Sequence, residues 1–490
     1  MNRAIAYSVM IAAFLFMPDE HSMAAQVAVE EWALEQWVGQ SAVDGPLHPY
    51  VMTSTGRATD AGGAEITLRS TGQGVPEGQY SDGQAVARIE AATVRGRRAT
   101  LSGTVEAREA SDGASLWMRV NGTAGPLLVD FGGDSRVRGD ATNERRSITL
   151  PIPPDATTIE FGFRLRGRGT ATVRALKFAI GAPLDEGDPP SPGARAVVDA
   201  AIDSIKTRAL KRERVTAAIE RSARLLAAGA ATPADAYPAI QYLIAMLADG
   251  HSALWSPSGW EMVNGSTPTG AGSQNRDPQV TTPGPIGYIE MPGYLGNQPE
   301  SLRSYAANVH RLLQGSQSNA ACGWILDLRN NDGGNVYPML AALKPFLGDE
   351  PLGANMGPDG PTEPRRAGKN VDVEPPSGLR VLENAWMAVL IGPRTNSAGE
   401  AVTLAFRGRA RTRHFGQPTA GRTTANAAIT LPDGAGLALA VAVMADRTGR
   451  VYGGRIEPDE LIQQVPGAKP ESDPTAAAAR AWLTGRSECH

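Results

Sequence analysis

The stretch that decides how this 490-residue chain is interpreted is Gly392-Pro393-Arg394-Thr395-Asn396-Ser397-Ala398-Gly399-Glu400. An apolar run at 386–391 precedes it, and a helical pattern at 400–406 follows. A short apolar run bounded by turn residues is typical of a buried strand, so the sequence predicts that Ser397 lies where a strand gives way to a helix. The N–H groups of a helix N-terminus are unpaired and attract negative charge. The position therefore suits a nucleophile, and it equally suits a helix N-cap, a frequent role of serine.

A second stretch with the same pattern lies at 324–335, where an apolar run ends in Asn330-Asn331-Asp332-Gly333-Gly334. Paired glycines adopt backbone angles that other residues avoid. Their N–H groups could therefore point into a cavity and bind an oxyanion. The same residues are also strong β-turn formers, so both interpretations stay open on the residues themselves.

Four segments, taken in chain order, resemble motifs of the S41 family of serine peptidases, which includes the tail-specific (C-terminal processing) and tricorn-like peptidases. The resemblance covers roughly 195–465. The segments are 327–334 (a "DLRxNxGG" signature), 395–400 (the nucleophile motif), 416–422 (a "GxxTxGK" segment) and 456–459 (a closing "GIxPD" segment).

The resemblance implies an α/β core of the ClpP/crotonase-like type and a serine nucleophile at Ser397. It also implies an oxyanion hole, for which the backbone N–H of Ala398 and that of Gly333 or Gly334 are the candidates. Many family members carry a peptide-binding PDZ domain between the helical part and the core. The intervening stretch here is shorter than the roughly 80 residues that such a domain needs, so no PDZ domain is expected.

The general base is where this sequence departs from the tail-specific branch, because Arg422 stands where that branch has a catalytic lysine. A guanidinium stays protonated and cannot act as a base. His251, in the segment Leu247-Ala248-Asp249-Gly250-His251-Ser252, matches the histidine of the other branch and is the predicted base. From its own chemistry, His251 is also consistent with a surface or capping residue.

Two residues are candidates for orienting His251: Ser252, its neighbour, and Glu457, in the closing segment. Arg422 is a candidate for binding a substrate carboxylate through two hydrogen bonds. A structural ion pair is the alternative for Arg422.

The N-terminal part has two predicted segments. Residues 1–24 are typical of a secretory signal, with Arg3 in the charged region, an apolar stretch and a small-residue cleavage site ending at Ala24. Residues 25–183 contain short strand patterns separated by Gly-rich turns, which predict an all-β sandwich or jelly roll. The pattern resembles the galactose-binding-like sandwiches that precede some peptidase domains. Such a domain either packs against its neighbour or binds carbohydrate or peptide.

The rest of the chain divides by composition into a linker (184–195), a helical part (196–256), a flexible loop (257–284), the α/β core (285–470) and a C-terminal tail (471–490). Strand and helix patterns alternate from Ile286 onward, as in an α/β layer. No later run is long enough for a transmembrane helix. The mature protein is therefore predicted to be exported, either periplasmic or secreted.

Composition narrows the classes of partner. A net charge of −4 over 490 residues argues against nucleic acid. The two cysteines, Cys322 and Cys489, lack the spacing of a metal site, and a disulfide between them stays open. No cofactor or metal is expected. The sequence thus predicts an exported serine peptidase acting on peptides or unfolded protein, the alternatives being an inactive ligand- or peptide-binding relative and a small-ester or amide hydrolase.

Overall fold

The protein is described here from a computed structural model, in residues 32–38, 41–42, 49–73, 81–133, 135–264, 276–282, 284–315, 322–463 and 473–486. The chain divides into two compact units, one reaching to Leu184 and the other starting at Asp185. The predicted signal segment 1–24 and Cys489 lie outside the described residues. Among the described residues, no helix combines the length and the apolar character that a membrane span requires.

The first unit is built from strands, as its short alternating patterns predict. Its strands are β1 (Ala33–Val38), β2 (Ser41–Ala42), β3 (Tyr50–Thr55), β4 (Ala64–Ser70), β5 (Ser81–Glu90), β6 (Arg97–Gly122), β7 (Gly125–Asp130), β8 (Val137–Pro151), β9 (Thr158–Arg166) and β10 (Thr170–Pro183).

These ten strands form one antiparallel sheet with the order β2-β1-β5-β9-β6-β10-β4-β3, while β7 and β8 also pair with β6. Strand β6 is 26 residues long, and it pairs with β10 near its start and with β9 near its end. One long strand therefore joins the two halves of the sheet. The prediction that this region is built largely from β strands is confirmed.

Strand β9 is more buried than its alternation of apolar and polar residues predicts. Phe161, Phe163 and Leu165 are buried on one face, as the pattern predicts, but Glu160 on the other face is also buried. Its carboxylate pairs with Arg88 and Arg119. A buried carboxylate requires such partners, and these bonds hold the pKa of Glu160 below its usual value against the effect of burial.

The second unit combines helices with two sheets. Its helices are α1 (Pro192–Arg208), α2 (Ala217–Leu226), α3 (Tyr237–Leu247), α4 (Pro257–Asn264), α5 (Pro299–Gly315), α6 (Val336–Ala342), α7 (Lys344–Leu347), α8 (Ala398–Phe406) and α9 (Pro474–Thr484), with 3₁₀ turns at Arg212–Arg214, Ala234–Ala236 and Ser377–Asn384. Its strands are β11 (Ala253–Trp255), β12 (Gln279–Thr281), β13 (Ile286–Glu290), β14 (Gly323–Asp327), β15 (Ala354–Gly357), β16 (Gly360–Pro361), β17 (Trp386–Ile391), β18 (Thr412–Gly416), β19 (Thr424–Thr430), β20 (Gly436–Ala445), β21 (Val451–Tyr452) and β22 (Glu460–Leu461).

The central sheet has the order β12-β13-β14-β17-β18-β22, and it is parallel from β13 to β22. Every residue of β14 is buried, as is typical of a parallel strand covered on both faces. One face packs against α5, α6 and α8. Ala476, Ala479 and Leu483 of α9 cover the other.

This layering places the two loops with peptidase-like motifs side by side, because the carboxyl ends of parallel strands meet at one edge of a sheet. Strands β14 and β17 are neighbours, so the loops that follow them, 328–335 and 392–397, are adjacent. The second sheet is antiparallel and is organised around β20, which pairs with β11, β15, β19 and β21. It places the segment before β11, which contains His251, beside β19.

Three predicted segments contain more regular structure than the sequence indicated. Residues 257–284, predicted as a flexible loop, contain α4 and β12; Trp260 of α4 is buried and its indole N–H donates to Thr430 at 3.0 Å. The predicted tail 471–490 contains α9, which is held because its apolar side chains fill the core. The predicted linker 184–195 is too long, because Ser191 caps α1, which begins at Pro192.

Candidate active site

Ser397 directly precedes α8 and has an unusual backbone, with φ 51° and ψ −108°. These angles are close to about +60° and −120°, the values of the first central residue of a type II′ turn, a position that normally holds glycine. The Gly399 N–H donates to the Asn396 carbonyl at 2.8 Å and closes that turn. A residue with a side chain in this region stores strain, and such strain clusters at functional sites.

The strain of Ser397 leads to a stability prediction. Glycine tolerates these angles, whereas alanine keeps the Cβ that opposes them. We expect Ser397→Gly to have a free energy of unfolding about 1 kcal/mol above that of Ser397→Ala. Thermal unfolding of the two variants under identical conditions measures this difference. A Ser397→Ala variant at least as stable as Ser397→Gly would show that the turn is unstrained.

Glu400 stabilises the turn at 396–399, which we call the serine turn. Its carboxylate is fully buried and accepts hydrogen bonds from the Ser397 N–H at 2.9 Å, the Thr419 hydroxyl at 2.6 Å and the Gly421 N–H at 2.8 Å. Burial raises the pKa of Glu400, and these hydrogen bonds offset part of that rise. Ser397 and Glu400 also form a capping box at the start of α8. Ser397 is thus the N-cap residue of α8, a position that is compatible with a second role for its hydroxyl.

The loop after β14 lies directly against Ser397. A Cβ placed on Gly333 would be 3.0 Å from the Ser397 Cβ and 3.1 Å from the Asn396 carbonyl oxygen. The Asn331 carbonyl accepts the Asn396 N–H at 2.9 Å. The two stretches that the sequence singled out therefore form one structure, although 63 positions separate Gly334 from Ser397.

Two backbone N–H groups at this junction, those of Ala398 and Gly334, are the candidates for binding an oxyanion. Ala398 is the first residue of α8, so its N–H has no acceptor within the helix. The Gly333 N–H donates to the Asn331 side chain at 3.2 Å, whereas no acceptor for the Gly334 N–H occurs in the described part of the chain. Gly334, at φ 101°, also has no room for a side chain, because its Cβ would lie 2.0 Å from the Tyr294 carbonyl oxygen.

The charged residues of the 327–334 segment have a structural role. Arg329 donates to the Asp327 carboxylate at 2.9 Å and 2.6 Å and pairs with Asp473 at 2.6 Å. Tyr288 also donates to Asp327, at 2.6 Å. These bonds fix the start of the loop that carries Gly333 and Gly334.

His251 follows the end of α3, where Ala248 adopts left-handed angles. The Asp249 carboxylate accepts the His251 N–H at 2.8 Å and so fixes the turn. The ring nitrogen Nδ1 is hydrogen-bonded to the Thr424 hydroxyl at 2.6 Å. Sequence reasoning missed Thr424, which lies 173 positions away and has no local signal.

Neither residue predicted to orient His251 has a contact with its ring in the described structure. The Ser252 hydroxyl donates to Asp249 at 2.7 Å and accepts the Ala440 N–H at 2.9 Å. Glu457 has an exposed side chain, and its carbonyl accepts a hydrogen bond from Arg407. The Ser252 hydroxyl is bonded to other groups, and the Glu457 side chain is exposed to solvent. Thr424 therefore replaces them as the candidate for orienting His251.

Arg422 is exposed, and its charge acts on His251. Burial, followed by the positive charge of Arg422, lowers the pKa of His251 to about 4, against a smaller opposing effect of Asp249. His251 is therefore neutral at pH 7. No ion pair of Arg422 occurs among the described residues, which does not support the structural ion-pair interpretation.

The effect of Arg422 on His251 predicts a pKa shift. Removing a nearby positive charge stabilises the imidazolium, so Arg422→Gln should raise the pKa of His251 above the value in the unmodified protein. An NMR titration of the His251 ring protons measures this directly. The control Arg303→Gln, an exposed arginine on α5, should leave the pKa unchanged. An unchanged pKa in Arg422→Gln would remove Arg422 as a cause.

One segment, 419–424, joins the serine and the histidine. The Ala420 N–H donates to the Thr395 carbonyl at 3.0 Å, Gly421 donates to Glu400, and Thr424 contacts His251. Among the described residues, the hydrogen bond of the His251 ring runs to Thr424 and not to Ser397. Within the same residues, no group of three His, Cys, Asp or Glu side chains is arranged to hold a metal ion.

Comparison with known proteins identifies the family that the region around Ser397 matches. Residues 285–462, which include the Gly333–Gly334 loop, Ser397 and Arg422, match the sequence profile of Peptidase family S41. Residues 285–462 therefore form an S41 peptidase region, and the S41 peptidases are serine hydrolases.

Its relatives are distant and are matched in part. A nisin-resistance protein of Lactococcus lactis subsp. lactis is 31% identical over 170 residues, 34% of this chain and 52% of the relative. A carboxyl-terminal-processing protease of Synechocystis sp. is 26% identical over 180 residues, 36% of this chain and 38% of the relative. The chain thus matches about half or less of the length of these curated relatives.

A solved structure supports the fold. A lipoprotein from Streptococcus agalactiae superposes with a TM-score of 0.50 at 23% identity, over 60% of this chain and 97% of that chain. At this identity the likeness establishes the fold of the matched region.

Proposed function

We propose that the chain is an exported serine peptidase in which Ser397 is the nucleophile and His251 the general base. The observation that carries the proposal is the strained turn at Ser397, which is packed against Gly333 and precedes a helix N-terminus. A capping serine needs no such strain. The finer architecture, a ClpP/crotonase-like core following a β sandwich, belongs to the same proposal.

The proposed reaction uses the Ser397 hydroxyl and the neutral ring of His251. His251 Nε2 takes the Ser397 hydroxyl proton while the Ser397 oxygen attacks the peptide carbonyl carbon. The proton then passes to the leaving amine as the C–N bond breaks. Water, deprotonated by the same nitrogen, attacks the acyl ester and releases Ser397 with its proton restored.

The oxyanion of the tetrahedral intermediate would accept hydrogen bonds from Ala398 and Gly334, and Gly333 would shape the loop. One such donor contributes about 3 kcal/mol of barrier lowering. Arg422 is exposed near His251 and could bind a substrate carboxylate, which would also offset its effect on the pKa of His251.

Thr424 is proposed as the residue that positions His251. Thr424→Val keeps the shape but removes the hydroxyl that binds Nδ1 at 2.6 Å. We expect kcat to fall by about 10–100-fold, since a misplaced base loses the reactive geometry, while KM changes little. Thr424→Ser should retain most of the activity. Equal losses in both variants would indicate a packing role for Thr424.

The proposal is tested with the purified full-length chain, a fluorophosphonate probe and a panel of unfolded proteins, peptides and small esters. We expect labelling of Ser397, located by peptide mapping, together with peptide cleavage. Labelling with ester but no peptide turnover would favour the small-ester hydrolase. A folded protein that neither labels nor cleaves would favour the inactive binding relative.

A further inference from the structure

The first unit contains a cavity of about 450 Å³ whose residues take no part in the proposed reaction. It lies entirely among residues of the β sheet and its connections. Its volume falls within the usual range for small-molecule sites, about 300–1,000 Å³. The side chains that define its chemistry are Trp37, Asp82, Phe131, Arg136, Arg164 and Arg166.

The lining is strongly positive, with three guanidinium groups and one carboxylate in Asp82. Burial, together with the positive charges of Arg138, Arg166 and Arg164, lowers the pKa of Arg136. The positive charges of these arginines therefore repel one another across the cavity. An anion bound between them would relieve that repulsion.

Arg164 is held in a fixed orientation. Its guanidinium pairs with Asp82, whose side chain is 5% exposed, and its central carbon lies 4.8 Å from the centre of the Phe131 ring. The side chain of Arg164 itself is 12% exposed. A guanidinium fixed in this way loses little entropy when it binds an oxyanion.

Three buried polar atoms around the cavity have no hydrogen-bond partner among the described residues. They are the Trp37 indole Nε1, the Arg164 Nε and the Asp82 Oδ1. Buried polar groups almost always have partners, and each exception requires an explanation. Here two donors and one acceptor remain, next to the surfaces of two aromatic rings.

We propose that this cavity binds a small hydroxylated organic anion, a hydroxycarboxylate or a phosphate monoester. Its anionic oxygens accept hydrogen bonds from Arg164 and Arg136, and a hydroxyl donates to Asp82 Oδ1. The carbon skeleton packs against Trp37 and Phe131. This arrangement satisfies the donors, the acceptor and the excess positive charge together.

The test is calorimetric titration of the full-length chain with glucuronate, glucose 6-phosphate, inorganic phosphate, acetate and glucose. We expect the first two to bind about tenfold or more tightly than the other three, because each of those lacks either the hydroxyls or the charge. The first two probes also distinguish a carboxylate from a phosphate ligand. Equal binding of phosphate or glucose, or no binding of either organic anion, would overturn the proposal.

Matched variants locate the binding. Arg136→Met removes one charge from the lining and should weaken binding of the better organic anion by about tenfold. Arg145→Met, an exposed arginine on β8 outside the lining, should change it by less than about twofold. Trp37→Phe keeps the ring but removes the indole donor and should weaken binding severalfold. Unchanged binding in both lining variants would place the ligand elsewhere and contradict the proposal.

Discussion

Ser397→Ala is expected to lower kcat/KM for peptide cleavage by about 10⁵-fold and to abolish fluorophosphonate labelling. The hydroxyl oxygen is the only atom of this residue that can form the acyl ester, and alanine removes it while keeping the Cβ and the turn. The fold should survive, because Glu400 still accepts the backbone N–H of residue 397. Steady-state cleavage and active-site labelling of the same preparation measure both losses.

Ser204→Ala is the matched control, since Ser204 lies on α1, outside the serine turn. It should cleave and label like the unmodified protein. If Ser397→Ala kept activity within about tenfold, a different nucleophile would have to act, and Ser397 would be left with its capping role. Equal losses in both variants would point to inactive preparations and not to the chemistry of Ser397.

The sequence predicted elements best where local patterns are strong. The apolar runs at 323–327 and 386–391 are buried strands, and helix α5 lies within the strand-and-helix alternation predicted from Ile286 onward. These elements are set by side chains close together in the chain. The two motif loops lie together because parallel strands β14 and β17 are neighbours, an order that the local patterns do not encode.

Helix α9 has a clear start signal in the sequence. Asp473 caps it, accepting the N–H groups of Thr475 and Ala476, and Pro474 is its first residue. An N-cap followed by proline marks a helix start. The predicted C-terminal tail, 471–490, therefore contains a helix with a start signal of its own.

The hydrogen-bond partners that surround Ser397 and His251 could not be predicted from the sequence. The capping box of Ser397 and Glu400 is a local pattern, but Thr419 and Gly421 reach the same carboxylate from a later segment. Thr424 meets His251 through the pairing of β19 and β11 with β20. Such contacts depend on strand order and register, which no short motif encodes.

His251→Ala is expected to reduce kcat/KM by about 10⁴–10⁶-fold, because a serine hydroxyl without a base is a weak nucleophile. Added imidazole should restore part of the activity if the vacated space admits it. The His310→Ala control removes a buried histidine on α5, whose ring bonds to the Ala341 carbonyl, and should spare the chemistry. Loss confined to His251→Ala would identify the base.

The pH dependence distinguishes a base from a structural histidine. With a pKa of about 4, His251 is neutral and able to accept a proton above that pH, so kcat/KM should fall only as the pH drops towards 4. A lysine base would instead lose activity far above neutrality. In Arg422→Gln the acid limb should move to higher pH, by the same amount as the pKa measured by NMR.

The low pKa of His251 also makes the stability of the fold depend on pH. An unfolded histidine has a pKa of about 6.5, so between about 6.5 and 4 the unfolded chain binds a proton that the folded His251 excludes. His251 therefore destabilises the fold progressively as the pH falls through this window, and it has no such effect above it. His251→Ala should remove this part of the acid sensitivity while abolishing catalysis. A variant that lost activity but kept the full acid sensitivity would contradict the buried, neutral state of His251 on which its role as base depends.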